Sequence, residues 1–228
     1  MHILRSYMNL RVCQPTPWGK RLFADVPALR AALLEKQPKD FVSHFMFECV
    51  PFAFSSDLSS WIGWKTSLAE RLQIDPRDVV LTGSGAVGFS LNPNKNFKAF
   101  DEQSDIDTGV ISPHHFELAW RHLRRLNPAW LSLSPGTKQA IEMHRKKLVF
   151  AGTIATDKIL SVLPFGPAWQ EALDAMAKVA PIAGREVKLR IYKDYDALRS
   201  YQADNIERLR GGLASSDAQE VQTIKIEE

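Results

Sequence analysis

The stretch LTGSGAVGFSLNPNKNFKAFDEQSDIDTGV, residues 81–110, decides the fold because it joins a glycine-serine turn to two aspartates one residue apart. It begins inside DVVLTG (78–83), a short β-branched run that ends in glycine, and it ends inside the apolar run SDIDTGVIS (104–112). Both runs are typical of strands. Side chains two residues apart in a strand point to one face, roughly 6 to 7 Å apart. Asp105 and Asp107 are therefore predicted to share a face.

Two carboxylates this close repel each other unless a cation lies between them. Hard oxygen ligands suit Mg²⁺ or Mn²⁺, which complete their coordination with water and substrate phosphates. Upstream, the first strand turns at Gly83 and Ser84 into a predicted short helix, GAVGFS (85–90). Free backbone N–H groups and a serine hydroxyl at such a turn bind phosphate oxygens well. The stretch thus predicts a phosphate seat beside a metal-binding pair of carboxylates.

At these residues the chain resembles the polymerase-β-like nucleotidyltransferase superfamily, whose signature is a Gly-Ser pair followed, after a short helix and a loop, by Asp-x-Asp on the next strand. The resemblance implies an α+β fold with a small mixed sheet flanked by helices. It also implies two Mg²⁺ ions and the transfer of NMP from an NTP to a hydroxyl, with release of pyrophosphate. By the same resemblance, Asp105 and Asp107 would bind the metals, and Gly83, Ser84 and nearby N–H groups would bind the β- and γ-phosphates.

The chain departs from this signature in two places. LNPNKNFKAFDEQ (91–103) lengthens the connection to the second strand and is interpreted as an inserted hairpin loop that closes over a nucleotide. Active members also carry a third carboxylate on a neighbouring strand, and the strand EVKLRIYKD (186–194) has Leu and Arg at its centre. Glu186 is the better candidate for this acid and Asp157 the weaker one. Without it, the attacking hydroxyl lacks its general base.

The rest of the chain is predicted to be mostly helical, with helical additions at both ends of the core. A single domain is predicted, with an N-terminal helical part (1–75), a core with its C-terminal helix (76–212) and a polar tail (213–228). The final helix is expected to end at Gly211-Gly212. Apolar spacing predicts the other elements, which are a helical hairpin over 24–48 broken at Gln37-Pro38, helices over 55–73, 113–126, 137–150 and 167–180, a strand over 185–195, and an unassigned stretch over 151–165.

Composition limits the partners. The formal charge is +3, from 29 basic and 26 acidic residues, so any basic surface must be local. Basic clusters at Arg121, Arg124 and Arg125 and at HRKK (144–147) would contact a triphosphate or RNA, or form a solvated helix face. The tyrosines of RIYKDYDALRSY (190–201) are expected to seal the edge of the core.

The cysteines and the N-terminus bear on the compartment. Cys13 and Cys49 are expected to be buried thiols. No apolar run approaches the length of a membrane span, which favours a soluble, cytoplasmic protein without a membrane partner.

Three functional hypotheses follow. The first is a Mg²⁺- or Mn²⁺-dependent nucleotidyltransferase that uses an NTP and an acceptor on a nucleic acid, a nucleotide, a small molecule or a protein. The second is a catalytically degenerate module of the same fold that binds a nucleotide or a partner, for which the resemblance suggests bacterial defence or toxin-antitoxin systems. The third is an RNA- or protein-binding helical domain with a chance motif, which requires Asp105 and Asp107 to lie in an exposed loop.

Overall fold

A four-stranded mixed sheet lies at the centre of the protein. The structure, a computed structural model, describes residues 22–54 and 57–227. Its strands lie in the order β1-β2-β4-β3; β2 runs parallel to β4, and the two outer strands are antiparallel to their neighbours. The predicted α+β fold with a small mixed sheet is confirmed. The strands are β1 (Val79–Thr82), β2 (Ile106–Ile111), β3 (Thr153–Ala155) and β4 (Val187–Tyr192).

Eight α-helices surround the sheet in the described part of the chain. Several begin at caps visible in the sequence: the Asp57 carboxylate accepts hydrogen bonds from two backbone N–H groups at the start of α3, and the Ser112 hydroxyl caps α5. The predicted break at Gln37-Pro38 separates α1 from α2. The helices are α1 (Val26–Glu35), α2 (Pro38–Val42), α3 (Leu58–Leu72), α4 (Gly83–Val87), α5 (Pro113–Arg125), α6 (Pro135–Met143), α7 (Gly166–Met176) and α8 (Tyr195–Glu227).

Strand β3 lies in the stretch 151–165, to which the sequence assigned no element. It pairs antiparallel with β4, with Ile154 opposite Ile191. Its three residues are too few to show the alternation that marks a strand. The strand predicted over 185–195 is accordingly the fourth in the chain.

The predicted end of the last helix at Gly211-Gly212 is wrong, because α8 continues through both glycines to Glu227. Neither glycine adopts the left-handed conformation that ends many helices. Each glycine costs about 1 kcal/mol relative to alanine in a helix, which weakens a helix without stopping it. Residues assigned to a polar tail therefore extend the helix.

One continuous cluster of buried apolar side chains unites the N-terminal helices with the sheet and α8. It extends from Phe23 and Leu29 to Leu213. Helices α1 and α2 contact α8, and α3 contacts α7, where Trp64 Nε1 donates a hydrogen bond to the Met176 carbonyl oxygen over 3.4 Å. Every second residue of β2, from Ile106, and of β4, from Val187, is buried, so one face of each strand joins this core.

Candidate functional site

The other face of the central strands is polar. In the parallel register of β2 and β4, Asp107 lies opposite Lys188, and Gly109 lies opposite Arg190. On the other side of β2, Thr82 of β1 pairs with Asp107. Asp105 precedes β2 by one residue and shares the face of Asp107, as predicted from their spacing. The structure thus places two carboxylates beside two cations on one sheet face.

This polar face forms the floor of a cavity of about 640 Å³, which is within the range of small-ligand sites. One wall is the turn into α4, with Gly83 and Ser84. A second wall is the loop segment 90–95, and a third is α8. The four residues predicted for the site (Gly83, Ser84, Asp105 and Asp107) all line this one cavity.

The turn at Gly83 lies directly against Asp107. Gly83 has a φ of 63°, a left-handed conformation that favours glycine. A Cβ atom built on Gly83 would lie 2.6 Å from Asp107 Oδ2, closer than a real contact allows. Glycine at this position therefore permits both the turn and the close approach of the backbone to the carboxylate.

Asp107 is a half-buried carboxylate without a compensating partner. Across residues 22–54 and 57–227, no hydrogen bond or ion pair to its side chain is found. Burial raises the pKa of Asp107 above its ordinary value, and the negative charge of Asp105 raises it further. The nearby Lys188 and Arg190 offset only part of this rise. The ionised form of Asp107 is thus only partly stabilised by the protein's own cations.

Asp105 is neutralised by Lys188. The Lys188 ammonium lies 2.6 Å from Asp105 Oδ2 and 3.6 Å from Glu186 Oε2. The hydrogen bond to Asp105 raises the pKa of Lys188 and outweighs the opposing effect of burial. The side chains of Lys188 and Asp105 are each about one-third exposed, so both reach the cavity and the solvent.

Neither candidate for the third carboxylate completes a cluster. Glu186 lies just before β4 with 68% of its side chain exposed, and it does not line the cavity. Asp157, the weaker candidate from the sequence, does line the cavity, and its charge contributes to the raised pKa of Asp107. Among the described residues, no group of three or more His, Cys, Asp and Glu side chains is placed to hold a metal ion.

The segments at the base of the lengthened loop pair as in a hairpin, as predicted. Phe89 forms an antiparallel bridge with Ala99, and the Ser90 N–H donates to the Lys98 carbonyl oxygen over 2.8 Å. Arg185 fixes the far end of the loop: its buried guanidinium donates to the carbonyl oxygens of Asp101 and Ser104. Because Ser104 is next to Asp105, this contact also positions the first carboxylate.

The wall formed by α8 was not predicted. Tyr201, Asn205 and Arg208 follow one another at helical spacing and line the cavity. The Arg190 guanidinium lies 4.7 Å from the Tyr201 ring centroid, and Arg208 Nη2 donates to Asn205 Oδ1 over 3.0 Å. Tyr192 is fully buried, in line with the sequence expectation, whereas Tyr201 is partly open to the cavity. The spacing of polar residues on α8 is the only sequence signal that could have indicated this wall. That spacing does not reveal which face of the sheet the helix covers.

The basic clusters found in the sequence lie outside this cavity. Arg121 forms an exposed ion pair with Glu117 at 2.5 Å, and Arg145 donates to the Leu123 carbonyl oxygen over 3.1 Å. The first contact is typical of a solvated helix face, whereas the second ties Arg145 to α5, and His144 of the same cluster is buried.

Two expectations from the sequence concern the cysteines and the membrane. The Cys49 thiol is only half-buried; burial raises its pKa to about 11, and Cys13 lies outside the described residues. No described helix has both the length and the apolar character needed to cross a membrane.

Comparisons of this chain with protein-family models, curated proteins and solved structures found no match. The chance-motif hypothesis requires Asp105 and Asp107 to lie in an exposed loop, but Asp107 lies within β2 and both side chains line the cavity.

Proposed function

We propose that this protein is a metal-dependent nucleotidyltransferase that transfers NMP from an NTP to an acceptor hydroxyl. One observation carries the proposal: Asp105 and Asp107 share a sheet face in a cavity whose wall is the Gly83-Ser84 turn. Carboxylates on one side and backbone N–H groups on the other suit a phosphate chain bound with a divalent cation. The acceptor is left open between a nucleic acid, another nucleotide, a small molecule and a protein.

The chemistry of the carboxylates fits Mg²⁺ or Mn²⁺. The Asp107 carboxyl has no hydrogen bond or ion pair from the described residues, and Asp105 offers a second carboxylate on the same sheet face. Mg²⁺ usually takes only one or two protein carboxylates and completes its shell with water and phosphate oxygens. Asp105 and Asp107 would hold such an ion, which would supply charge neutralisation on the transferred phosphoryl group.

The protein's own groups divide the remaining tasks. In this proposal, Ser84 and the backbone at Gly83 orient the phosphate chain, and Lys188 and Arg190 stabilise its negative charge. Asp157 is the cavity carboxylate available to accept a proton from the acceptor hydroxyl. The loop segment 90–95 and α8 restrict which base and acceptor can enter.

A second candidate is a module that binds a nucleotide without transferring it. The observation in its favour is that Lys188 and Arg190 occupy the β4 positions that face the site, where a third carboxylate would be expected. Cations there favour phosphate binding but provide no general base.

Pyrophosphate release tests the proposal and separates the two candidates. Purified protein is incubated with each labelled NTP and Mg²⁺ or Mn²⁺, with and without RNA, nucleotide and protein acceptors. The Asp105→Ala, Asp107→Ala double variant is compared with Glu70→Ala, Asp174→Ala, which removes two acidic groups outside the cavity. Pyrophosphate release that is lost in the Asp105→Ala, Asp107→Ala variant and kept in the control variant supports the transferase. Metal-dependent NTP binding without pyrophosphate release supports the module. The absence of both NTP binding and pyrophosphate release contradicts both candidates.

A further inference from the structure

We propose that Lys188 acts as a phosphate-binding residue that competes with the metal ion for Asp105, so that the metal and a polyphosphate chain bind cooperatively. This inference rests on the proposed function, because it concerns the same metal and phosphate site. It assigns a role to a cation that the resemblance to nucleotidyltransferases does not predict.

The position of the ammonium provides the first argument. Lys188 Nζ lies 2.6 Å from Asp105 Oδ2 and 3.6 Å from Glu186 Oε2, and its residue pairs with Asp107 across the sheet. It therefore lies among three carboxylates, next to the oxygen atoms that would bind a metal. A divalent cation at Asp105 and an ammonium at hydrogen-bonding distance from the same carboxylate repel each other strongly. Lys188 in its present position thus opposes metal binding at Asp105.

The surroundings of Lys188 provide the second argument, because they allow that movement. Its side chain is 34% exposed and lines the cavity. A lysine has a flexible stem and a compact charge with three donors, so it can exchange one anionic partner for another. Arg190, the next residue on the same face, adds a second positive charge to the cavity floor. A phosphate chain over β4 would meet both cations.

The position and the mobility of the Lys188 ammonium together predict cooperative binding of the metal ion and the polyphosphate. A metal ion alone must displace an ammonium that then loses its hydrogen bond to Asp105 and keeps only the longer contact with Glu186. When a polyphosphate binds as well, its oxygens become the new partners of Lys188, and Asp105 is released to the metal. Coupling of this kind is reciprocal, so the metal should tighten polyphosphate binding by the same factor as polyphosphate tightens metal binding.

Inorganic tripolyphosphate and Mn²⁺ test the proposal without requiring the correct base or any turnover. Free Mn²⁺ is measured by electron paramagnetic resonance, and tripolyphosphate binding is measured by calorimetry with and without Mn²⁺. The variants are Lys188→Gln, Lys188→Arg, which keeps the charge, and Lys193→Gln, a control at an exposed lysine just after β4. Circular dichroism verifies that each variant is folded.

Lys188→Gln should bind Mn²⁺ alone about fivefold or more tightly than the wild type, and the coupling between Mn²⁺ and tripolyphosphate should fall by a similar factor. Lys188→Arg should retain most of the coupling, and Lys193→Gln should match the wild type. Unchanged or weaker Mn²⁺ binding in Lys188→Gln would overturn the competition while leaving the proposed function intact. If the wild type binds neither probe under any condition, both proposals are wrong.

Discussion

At the scale of single residues, the most informative group is Asp107. A half-buried carboxylate without a partner destabilises the fold, and carboxyl groups with raised pKa values cluster at functional sites. Because its pKa is raised in the folded protein, folding favours the protonated form. The wild-type protein should therefore lose stability as the pH rises from the ordinary carboxyl pKa of about 3.9 through the higher pKa of the folded state.

Asp107→Asn removes this charge and should raise the free energy of unfolding at neutral pH by about 1 kcal/mol. The gain should disappear in acid, where the wild-type carboxyl is protonated in both states. Urea unfolding over a range of pH measures the effect, with Asp204→Asn, an exposed aspartate on α8, as the control. A gain that does not depend on pH, or a loss of stability at neutral pH, would contradict the assigned cause.

Gly83 offers a second prediction at this scale. Gly83→Ala places a Cβ atom 2.6 Å from Asp107 Oδ2 and forces a non-glycine residue to a φ of 63°. We expect destabilisation by about 1 to 3 kcal/mol together with weaker Mn²⁺ binding.

The matched control for that substitution is Gly63→Ala. Gly63 lies in α3 with no atom within 4 Å of its built Cβ, and the change should be neutral or stabilising by up to about 1 kcal/mol. Thermal unfolding compares the two variants, and equal effects would contradict a special role for the turn at Gly83.

At the scale of elements, local sequence patterns predicted the features that depend only on neighbouring residues, such as strand faces and helix positions. The strand periodicity placed Asp105 and Asp107 on one face, and apolar spacing predicted the helices that the structure begins after the caps at Asp57 and Ser112. The pairing of Lys188 with Asp107 depends on the register between β2 and β4, which are far apart in sequence. Local patterns do not specify such a register, so they did not show that Lys188 lies beside the two aspartates or that Glu186, predicted at the start of the same strand, lies outside the cavity.

For helix α8, a local sequence signal gave a wrong prediction. Gly211 and Gly212 predicted a helix end, but both have helical neighbours and open space around a built Cβ. Replacing both with alanine should therefore strengthen α8, by about 1 kcal/mol for each site. Circular dichroism during thermal unfolding measures this, and a loss of helicity or stability in the double variant would contradict a helix that continues through these residues.

At the scale of the whole molecule, the site depends on elements from the full length of the described chain. The N-terminal helices share one core with the sheet, and α8 both contacts α1 and α2 and forms a wall of the cavity. The sequence predicted the class of fold. It did not predict that α8 returns across the polar sheet face, because that packing depends on contacts between distant segments.

This shared core predicts cooperative unfolding. In a variant whose other four tryptophans are replaced by phenylalanine, Trp61 and Trp64 of α3 report on the N-terminal helical part, whereas far-ultraviolet circular dichroism reports on all the helices. The two signals should give the same midpoint in urea, because no part can unfold without exposing the common core. Separate midpoints would indicate that the N-terminal part is an independent unit.

The central claim is that Asp105, Asp107 and the Gly83-Ser84 turn form one site for a metal ion and a nucleoside triphosphate. The most direct test is equilibrium binding of each labelled NTP with Mg²⁺ and with EDTA, in the wild type, Asp107→Asn and Asp204→Asn. We predict Mg²⁺-dependent binding of at least one NTP that falls about tenfold or more in Asp107→Asn alone, a loss of about 1.4 kcal/mol or more. Binding that is absent, or that depends on neither Mg²⁺ nor Asp107, would contradict the claim.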